Sequence, residues 1–514
     1  MEKQLSIIPR PVSLEYGEGT FQSPEFPSVE GVFRREIETV NGQLREDLEK
    51  SGYTGSFGGA GKPVVCQKET IDNLKIPNDE GYRLVITKEK ITISAASEKG
   101  AYHGLQTFRQ LALSEYRREY RQGEIFTLPC AEITDYPRFS WRGFMLDCSR
   151  YFYSVPFIKR LIDILSLHHI SRFHWHLTDD QGWRLPVEGY PLLTEIGSRR
   201  QDRRFQGSYY FDGFYSEGQI REIVEYAASR HIEVVPEVDL PGHANAILAS
   251  YPGLGCTGGP YRVEDRFGIH EDALCAGNDQ IFSLAAAIFD TLAGLFPSRY
   301  VHIGGDEVLF ARWKNCPKCQ KRAAELGLAG PEKLQSWITC RLVQMLSERG
   351  KTAIGWDEVL DDSEKFRLPK ETVVMSWRGS EGGTRASGLG HPVIMSPNTS
   401  GCYLDYKHID EPEEPGQTFG ISTVFKGYSM DPVTAEMGGE EASRILGGQC
   451  NLWSELIYAG KIAEYMIFPR LCAIAEALWT PRDQKDFDDF SRRLPVHQER
   501  LNRLGVLQYR GPLR

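Results

Sequence analysis

The amino-acid sequence predicts an α/β protein: a small α+β domain over residues 1–136, followed over residues 137–514 by a (β/α)8 TIM barrel with a helical C-terminal end. Three observations predict this fold class. Short strand-like runs recur eight times after residue 140, each separated from the next by a stretch long enough for a helix. Polar and aromatic residues follow the ends of these runs. The first 135 residues show a different pattern, with a hairpin and one long helix.

Composition and charge restrict the classes of function. The 514 residues include 41% hydrophobic types, enough to bury a large core in two or three domains, and the formal net charge is -10. Lysines and arginines form no run, which argues against nucleic acid or a membrane surface as a partner. The sequence therefore favours a small or neutral substrate.

Targeting signals are absent from the sequence pattern. The first residues lack the apolar segment of a signal peptide, and no run reaches the roughly 18 apolar residues that span a bilayer. We expect no membrane span. A chain without a signal fits the cytoplasm, whereas a periplasmic or secreted protein whose signal peptide has been removed would show the same sequence. The compartment stays open, as does the choice between monomer and homodimer.

Eleven cysteines occur at unpatterned spacings. An odd number in a chain of this length argues against a disulfide framework. Cys316 and Cys319 form the one tight pair, in the sequence C-P-K-C. A structural zinc site needs four ligands and no second C-x-x-C exists, so we interpret the pair as loop packing and predict no metal ion and no cofactor.

The elements of the first domain follow from two segments. Residues 82–95 alternate in polarity around a Lys-Glu-Lys turn, which predicts a hairpin, and residues 98–115 have the apolar spacing of a helix. Pro137 and the surrounding aromatic residues interrupt the pattern and indicate the domain boundary.

The eight predicted barrel strands come next. They are residues 143–149, 171–177, 232–238, 300–305, 352–356, 373–377, 392–397 and 444–450. A helix is predicted between the first two, with Ser154 as its N-cap and Pro156 in its first turn. Parallel barrel strands carry active-site residues just beyond their carboxyl ends. The residues found there are Asp147, Arg150, Asp179, Asp180, Glu237, Asp239, His243, Asp306, Glu307, Trp356, Trp377, Tyr403, Asp405, Trp453 and Glu455.

The sequence contains few motifs that would indicate a chemistry other than sugar binding or hydrolysis. No nucleophile elbow, P-loop, H-E-x-x-H motif or dinucleotide fingerprint occurs, and the glycine-rich residues 253–262 are weak evidence for phosphate binding in a long loop. His174 and His176 alternate along a predicted strand, where we expect one ring to face the barrel interior and the other to face the helices, as packed residues. Carbohydrate remains, because tryptophans, a tyrosine, an arginine and carboxylates match the faces and hydroxyls of sugars.

Glycoside hydrolysis needs a carboxylic acid to protonate the leaving oxygen, and Glu307 is the candidate. Adjacent residues that leave a strand point in different directions, so Asp306 and Glu307 are poorly placed as an opposed acid and nucleophile. A 2-acetamido group on the substrate is an alternative nucleophile.

Five segments together resemble the family 20 glycoside hydrolases, the β-N-acetylhexosaminidases. They are HIGGDEV (302–308), FHWHLTDDQGWR (173–184), PEVDLPGH (236–243), GWDE (355–358) and NLWSE (451–455). The resemblance runs in order from about residue 140 to 480, and the N-terminal segment is similar to the small accessory domain of that family. It implies an exo-acting, retaining enzyme that removes a terminal β-linked N-acetylhexosamine (GlcNAc or GalNAc) from a glycan.

The resemblance also implies residue roles. Asp306 would orient the acetamido group, which attacks C1 to form an oxazolinium, and Glu307 would act as acid and then base. Trp356, Trp377 and Trp453 resemble the walls around the acetamido group, and Tyr403 resembles its hydrogen-bond donor. Further carried-over roles are the binding of ring hydroxyls by Arg150, Asp405 and Glu455, and the tuning of the catalytic acid by Asp179 and His243.

Alternatives stay open at this point. The tryptophans can be rim packing, Arg150 a salt-bridge partner of Asp147, His243 a helix cap, and Asp180 and Arg184 a pair across a turn. A disaccharide-releasing or 6-sulfo-GlcNAc-specific enzyme would keep the same acids, and a silent sugar-binding barrel would lose them. A metal-dependent hydrolase would use Asp179, His243 and Asp306.

Overall fold

The computed structural model describes residues 5–50, 52, 57–58, 61–115, 125–201, 210–361 and 365–514. Its N-terminal unit is a six-stranded mixed sheet with the spatial order β1-β6-β4-β5-β3-β2. The strands are β1 (Ser13–Ser23), β2 (Val29–Gly31), β3 (Val64–Lys68), β4 (Tyr82–Ile86), β5 (Ile91–Ala95) and β6 (Phe126–Asp135). Helices α1 (Arg34–Lys50) and α2 (Glu98–Glu115) pack with this sheet in one hydrophobic core.

The predicted hairpin and helix of this unit are present. Strands β4 and β5 pair antiparallel, and α2 covers the predicted range. Residues 101–113 of α2 are buried all round, because the sheet covers one face and the second unit covers the other. The hydroxyl of Tyr102 donates to Ser166 at 3.1 Å, and the amide of Gln110 donates to the carbonyl of Leu167 at 2.9 Å.

The second unit is a closed barrel of eight parallel strands, which confirms the predicted fold class. The strands are β7 (Trp141–Asp147), β8 (Arg172–His176), β9 (Glu233–Glu237), β10 (Tyr300–His302), β11 (Thr352–Trp356), β12 (Val373–Ser376), β13 (Val393–Met395) and β14 (Ile445–Leu452). Strand β10 ends three residues before its predicted end, because Gly304 and Gly305 have positive φ and cannot continue a strand.

Helices surround the barrel between its strands. The longer ones are α3 (Val155–Leu167), α4 (Glu217–Ala228), α5 (Gln280–Leu295), α6 (Pro317–Glu325), α7 (Leu334–Ser347), α8 (Glu381–Gly388), α9 (Gly460–Ile467), α10 (Arg470–Trp479) and α11 (Phe487–Arg503). Ser154 is the N-cap of α3, as predicted, although its side chain makes no capping hydrogen bond. In the described part of the chain, no helix has the length and apolar character needed to cross a membrane.

Apolar residues fill the interior of the barrel. Trp141, Val235, Tyr300, Ile354 and Met375 form one buried cluster inside the strands. A second, larger core lies between the strands and the surrounding helices. These residues, with the buried polar side chains described below, pack the barrel interior, and the pocket that concerns function opens beyond the strand ends.

Candidate active site

One pocket opens at the carboxyl-terminal mouth of the barrel. Its walls contain every residue that the sequence analysis assigned to catalysis or substrate binding. They are Arg150, Asp179, His243, Asp306, Glu307, Trp356, Trp377, Tyr403, Asp405, Trp453 and Glu455. The parallel strands explain the convergence, since their carboxyl ends meet at one rim and a residue following each strand lines the pocket.

The loop after β10 carries the two adjacent acids, and its shape depends on glycine. Gly304 and Gly305 have φ values of +67° and +94°, and Glu307 itself has a φ of +51°. A Cβ atom at Gly304 would lie 1.9 Å from Oδ1 of Asp239, and the N–H of Gly305 donates to that same oxygen at 2.9 Å. The loop therefore presses against Asp239, and the turn directs the two following acids to different neighbours.

Asp306 forms a carboxyl pair with Asp239. The two side chains share a hydrogen bond, and burial raises the pKa of Asp239 to about 7. Burial and the neighbouring Asp239 raise the pKa of Asp306 well above its usual range. The pair therefore retains a proton at mildly acidic pH, because two buried carboxylates in contact repel one another. Oδ1 of Asp306 is buried without a hydrogen-bond partner in the described chain, so it is available to a ligand.

Glu307 occupies the more open side of the pocket, with 30% of its side chain exposed against 10% for Asp306. Nε2 of His243 lies 3.6 Å from the Glu307 carboxylate, and Nδ1 lies 3.1 Å from Oδ1 of Asp179. Burial disfavours a charged ring, but Asp179 outweighs it and raises the pKa of His243 well above its usual range. His243 is therefore an imidazolium that connects Asp179 to Glu307.

Arg150 organises a second part of the pocket. Its guanidinium lies 2.9 Å from Asp179, 3.3 Å from Asp147 and 4.0 Å from Glu455, and it stacks over Trp453 at 5.1 Å from the ring centre. The expected salt bridge to Asp147 is therefore present alongside the pocket contacts. A planar cation fixed by several acids is suited to holding sugar hydroxyls through its remaining donors.

Aromatic side chains form the walls. Trp356 and Trp453 lie 5.9 Å apart at 45°, while Trp377 and Tyr403 are stacked at 6.2 Å and 13°. The indole of Trp356 donates to Glu237 at 3.0 Å, and the indole of Trp377 donates to Glu358 at 2.8 Å. These bonds fix the planes of both rings, so the pocket has rigid flat faces rather than loosely packed rim residues.

Comparison with known proteins settles the family. The sequence model described as "Glycosyl hydrolase family 20, catalytic domain" matches residues 139–482, and that described as "Glycosyl hydrolase family 20, domain 2" matches residues 4–136. The chain belongs to glycosyl hydrolase family 20. The resemblance stated from the sequence motifs is thereby confirmed.

Individual relatives agree with this placement. A β-hexosaminidase of Porphyromonas gingivalis is 39% identical over 517 aligned residues, which cover 100% of this chain and 65% of the relative. The crystal structure of a family 20 exo-β-N-acetylglucosaminidase of Vibrio harveyi with N-acetylglucosamine gives a TM-score of 0.86 at 30% identity, covering 99% of this chain and 80% of that one. The structure of a family 20 β-N-acetylhexosaminidase of Streptomyces coelicolor gives a TM-score of 0.84 at 30% identity. The match covers 99% of this chain and 98% of that one.

A buried polar chain lies beneath the family 20 pocket. Glu237 accepts from His176 Nδ1 at 2.5 Å and lies 3.0 Å from His174 Nε2, and His176 Nε2 lies 3.1 Å from Asp179. The expectation that His174 and His176 face opposite sides of the sheet is wrong. Residues two apart on a strand share a face, and both rings point into the barrel interior. Although burial opposes it, Glu237 raises the pKa of His176 to about 10.

Two of the alternative interpretations, the pair of Asp180 with Arg184 and the helix cap at His243, are also wrong. Asp180 accepts from the backbone and side chain of Asn245 at 3.0 and 2.9 Å, whereas the guanidinium of Arg184 donates to backbone carbonyls, including that of Cys148 at 3.0 Å. His243 does not cap the helix Asn245–Ser250, whose N-cap residue is Ala244. The turn around Asp180 is thus anchored to the loop that follows β9.

Several pocket residues were not assigned by the sequence analysis. Asp239 lines the pocket and stands inside the quoted motif PEVDLPGH, so the signal was present without a role. Glu358, in the motif GWDE, does not line the pocket itself but accepts a hydrogen bond from the indole of Trp377, which does. Burial and nearby Asp306 raise the pKa of Glu358 to about 9. Tyr406, Gln417 and Phe419 reach the pocket from the long excursion after β13, and no periodic pattern marks them.

The metal alternative named Asp179, His243 and Asp306. Their donor atoms do belong to clusters around His243, one with Asp179 and Asp180 and one with Asp239 and Asp306. Both ring nitrogens of His243 face carboxylates, Nδ1 that of Asp179 and Nε2 that of Glu307, as expected for a ring that donates to both acids. Ion pairing accounts for these distances.

Proposed function

We propose that this chain is an exo-acting, retaining β-N-acetylhexosaminidase that works by substrate-assisted catalysis. It would remove terminal β-linked GlcNAc or GalNAc from the non-reducing end of glycans. The observation that carries the proposal is the divergence of the adjacent acids: buried Asp306 has one unpartnered oxygen, and Glu307 faces the open side of the same pocket. Membership of family 20 and the N-acetylglucosamine bound in the Vibrio harveyi relative support the choice of sugar.

In the first step the acetamido carbonyl oxygen attacks C1 while the bond from C1 to the leaving oxygen breaks. Glu307 donates its proton to that oxygen. Asp306 accepts a hydrogen bond from the acetamido N–H and stabilises the positive charge that develops on the nitrogen, while its other oxygen shares the single proton of the carboxyl pair with Asp239. Adjacent acids suit this division, because one addresses the acetamido group and the other addresses the leaving group.

In the second step the Glu307 carboxylate removes a proton from water as the water attacks C1 and the oxazolinium ring opens. Two inversions give net retention, and Glu307 ends protonated as it began. His243 stabilises the intermediate carboxylate, since its charged ring lies 3.6 Å away and is held by Asp179.

The other pocket residues would position the sugar. Trp356, Trp377 and Trp453 enclose the acetamido methyl and the ring face, and Tyr403 donates to the acetamido oxygen, which holds the nucleophile in an attacking geometry. Arg150, Asp405 and Glu455 would bind ring hydroxyls. These three polar side chains line the same pocket as Asp306 and Glu307, and a subsite for a terminal sugar residue accounts for them.

The test is release of p-nitrophenol from its β-GlcNAc, β-GalNAc and β-glucoside derivatives, with and without a thiazoline mimic of the oxazolinium. We expect turnover of the 2-acetamido sugars alone and tight inhibition by the thiazoline. Glu307→Gln should lower kcat/KM about 10²–10⁴-fold. Glu222→Gln, which neutralises an exposed carboxylate on α4, is the control and should leave it unchanged. Equal turnover of the glucoside without thiazoline inhibition would show that a protein carboxylate is the nucleophile.

A further inference from the structure

Four cysteine thiols meet outside the pocket. We name Cys256, Cys275, Cys316 and Cys319 the thiol cluster. Cys256 and Cys275 belong to the long loop between β9 and α5, whereas Cys316 and Cys319 stand at the start of α6, beyond the acid loop. The sulfur of Cys275 lies 3.8 Å from that of Cys316 and 3.6 Å from that of Cys319, and Cys256 lies 3.8 Å from Cys319.

These separations match the edges of a tetrahedron around one metal ion. A Zn–S bond of about 2.3 Å places two sulfurs of a regular tetrahedral site about 3.8 Å apart. A disulfide would bring one pair to about 2.05 Å. Cys275 is instead close to two other sulfurs at once, and Cys319 is likewise shared between Cys256 and Cys275. The thiols are thus arranged around a common centre and not as two separate pairs.

The backbone near the cluster is shaped to hold thiolates. A Cβ atom at Gly277 would lie 2.2 Å from the carbonyl carbon of Lys318, so only glycine allows this approach to the C-P-K-C turn. The N–H of Gly277 hydrogen-bonds the sulfurs of both Cys275 and Cys319. Such donors orient metal ligands and disperse the charge that four thiolates bring.

The burial of the four cysteines also favours a closed metal site. Cys275 and Cys319 are inaccessible to solvent, Cys316 is 4% exposed and Cys256 is partly buried. We propose that the thiol cluster binds one Zn²⁺ ion as a closed, structural site with four thiolate ligands. Soft sulfur ligands in tetrahedral order select zinc, and four protein ligands leave no open position for catalysis.

The position of the cluster indicates what the ion would stabilise. The N–H of Leu274 donates to the carbonyl of Pro241 at 3.0 Å, two residues before His243, and the carbonyl of Leu274 accepts from the indole of Trp313 at 2.9 Å. Earlier in the same loop, the N–H of Glu264 donates to the carbonyl of Asp180 at 2.9 Å. A zinc ion would therefore fasten the loop that packs beside His243 to the segment that follows Glu307.

The proposed site has no second C-x-x-C, the pattern by which a zinc site is usually recognised in a sequence. Two ligands come from such a motif, but the other two are single cysteines separated by 18 residues of loop. Only the folded loop, which pairs Gly255 with Leu274 in an antiparallel bridge, brings Cys256 and Cys275 side by side.

The experiment is metal analysis of the full chain, purified without chelators from zinc-replete cells. We expect about one zinc per chain, and about 0.1 or less for Cys316→Ser/Cys319→Ser. Cys340→Ser changes a partly buried cysteine outside the cluster and should keep its zinc. Zinc removal from the wild type should lower the melting temperature, and Co²⁺ loaded in its place should show the absorption of tetrahedral thiolate coordination.

Metal content near zero in the wild type, or disulfides within the cluster found by peptide mass spectrometry, would overturn the proposal. Iron in stoichiometric amount would overturn the choice of ion. The outcome is independent of the proposed function, because the zinc content of Glu307→Gln should equal that of the wild type even though its turnover is lost.

Discussion

Two buried carboxylate clusters of this molecule have opposite electrostatics. At the junction between the two units, Glu80 lies 2.7 Å from Arg142, 2.9 Å from Lys99 and 3.4 Å from His103. Burial alone would raise the pKa of Glu80, but Arg142 and its neighbours outweigh this and lower it far below its usual range. At the barrel mouth, burial raises the pKa of Asp306 and Asp405, and nearby carboxyl groups add to both shifts.

The difference separates a structural cluster from a reactive one. A carboxylate surrounded by cations is stabilised as an anion and helps to hold the two units together. Carboxyl groups that crowd one another in a buried pocket repel and retain protons, which costs stability. Such destabilising arrangements are retained where the bound protons take part in catalysis. Buried acids with raised pKa values in a cleft therefore indicate a functional site, whereas a buried acid paired with cations indicates a structural role.

The largest expected effect comes from breaking the structural cluster. Glu80→Gln leaves buried Arg142 without its anionic partner and should lower the free energy of unfolding by about 3–5 kcal/mol. Denaturant melts of the two proteins measure this difference, and kcat should stay within about twofold. Because the pKa of Glu80 is lowered on folding, its contribution is present above the usual glutamate range and lost below it. The difference should therefore shrink in acid, and a constant difference would contradict the pairing.

The next-largest effect is expected at the barrel mouth, where a substitution should lower activity but not stability. Asp306→Asn should lower kcat/KM for p-nitrophenyl β-GlcNAc about 10²–10³-fold, or roughly 3–4 kcal/mol, because it removes the charge that stabilises the acetamido nitrogen. The melting temperature should be unchanged or higher, since one of two crowded acids is neutralised. A clear drop in melting temperature would place Asp306 with the structural carboxylates instead.

A smaller effect is expected from the partner of Asp306. The pKa of Asp239 is raised to about 7 on folding, so the folded state binds more protons than the unfolded state between about pH 4 and 7, and stability falls as the pH rises through this window. Asp239→Asn should raise the melting temperature at pH 8 and leave it unchanged near pH 4. It should also remove a fall in activity centred near pH 7. If the variant still lost activity above about pH 7, a group other than Asp239 would control that fall.

The sequence predicted the barrel mouth well because the rule that governs it is local. A residue just beyond the end of each strand belongs at the rim, and each strand end can be recognised from its own segment. The acid loop was equally accessible, since two glycines before Asp306 and Glu307 indicate a turn. The resemblance to family 20 then supplied roles that spacing alone does not give.

Features that depend on distant contacts were missed. The pairing of Asp239 with Asp306 requires the approach of two loops past Gly304, and Phe419 reaches the pocket from a long excursion after β13. Glu80 and Arg142 are separated by 62 residues and meet only when the two units dock. The thiol cluster is the same case, because two of its cysteines come from the loop before α5 and the other two from the start of α6. No periodic signal encodes these encounters.

The smallest effect tests whether burial or distance distinguishes the clusters. Lys159 and Glu222 form an ion pair at 2.7 Å, the same separation as Arg142 and Glu80, but their side chains are 31% and 50% exposed against 1% and 11%. Solvent screens the exposed pair, so a double-mutant cycle with Lys159→Met and Glu222→Gln should give a coupling of about 0–1 kcal/mol that decreases with added salt. The matching cycle at Arg142 and Glu80 should give several times more. Equal coupling energies would mean that contact distance alone sets the strength of an ion pair. Burial would then not explain why the carboxyl groups of Glu222, Glu80 and Asp306 differ.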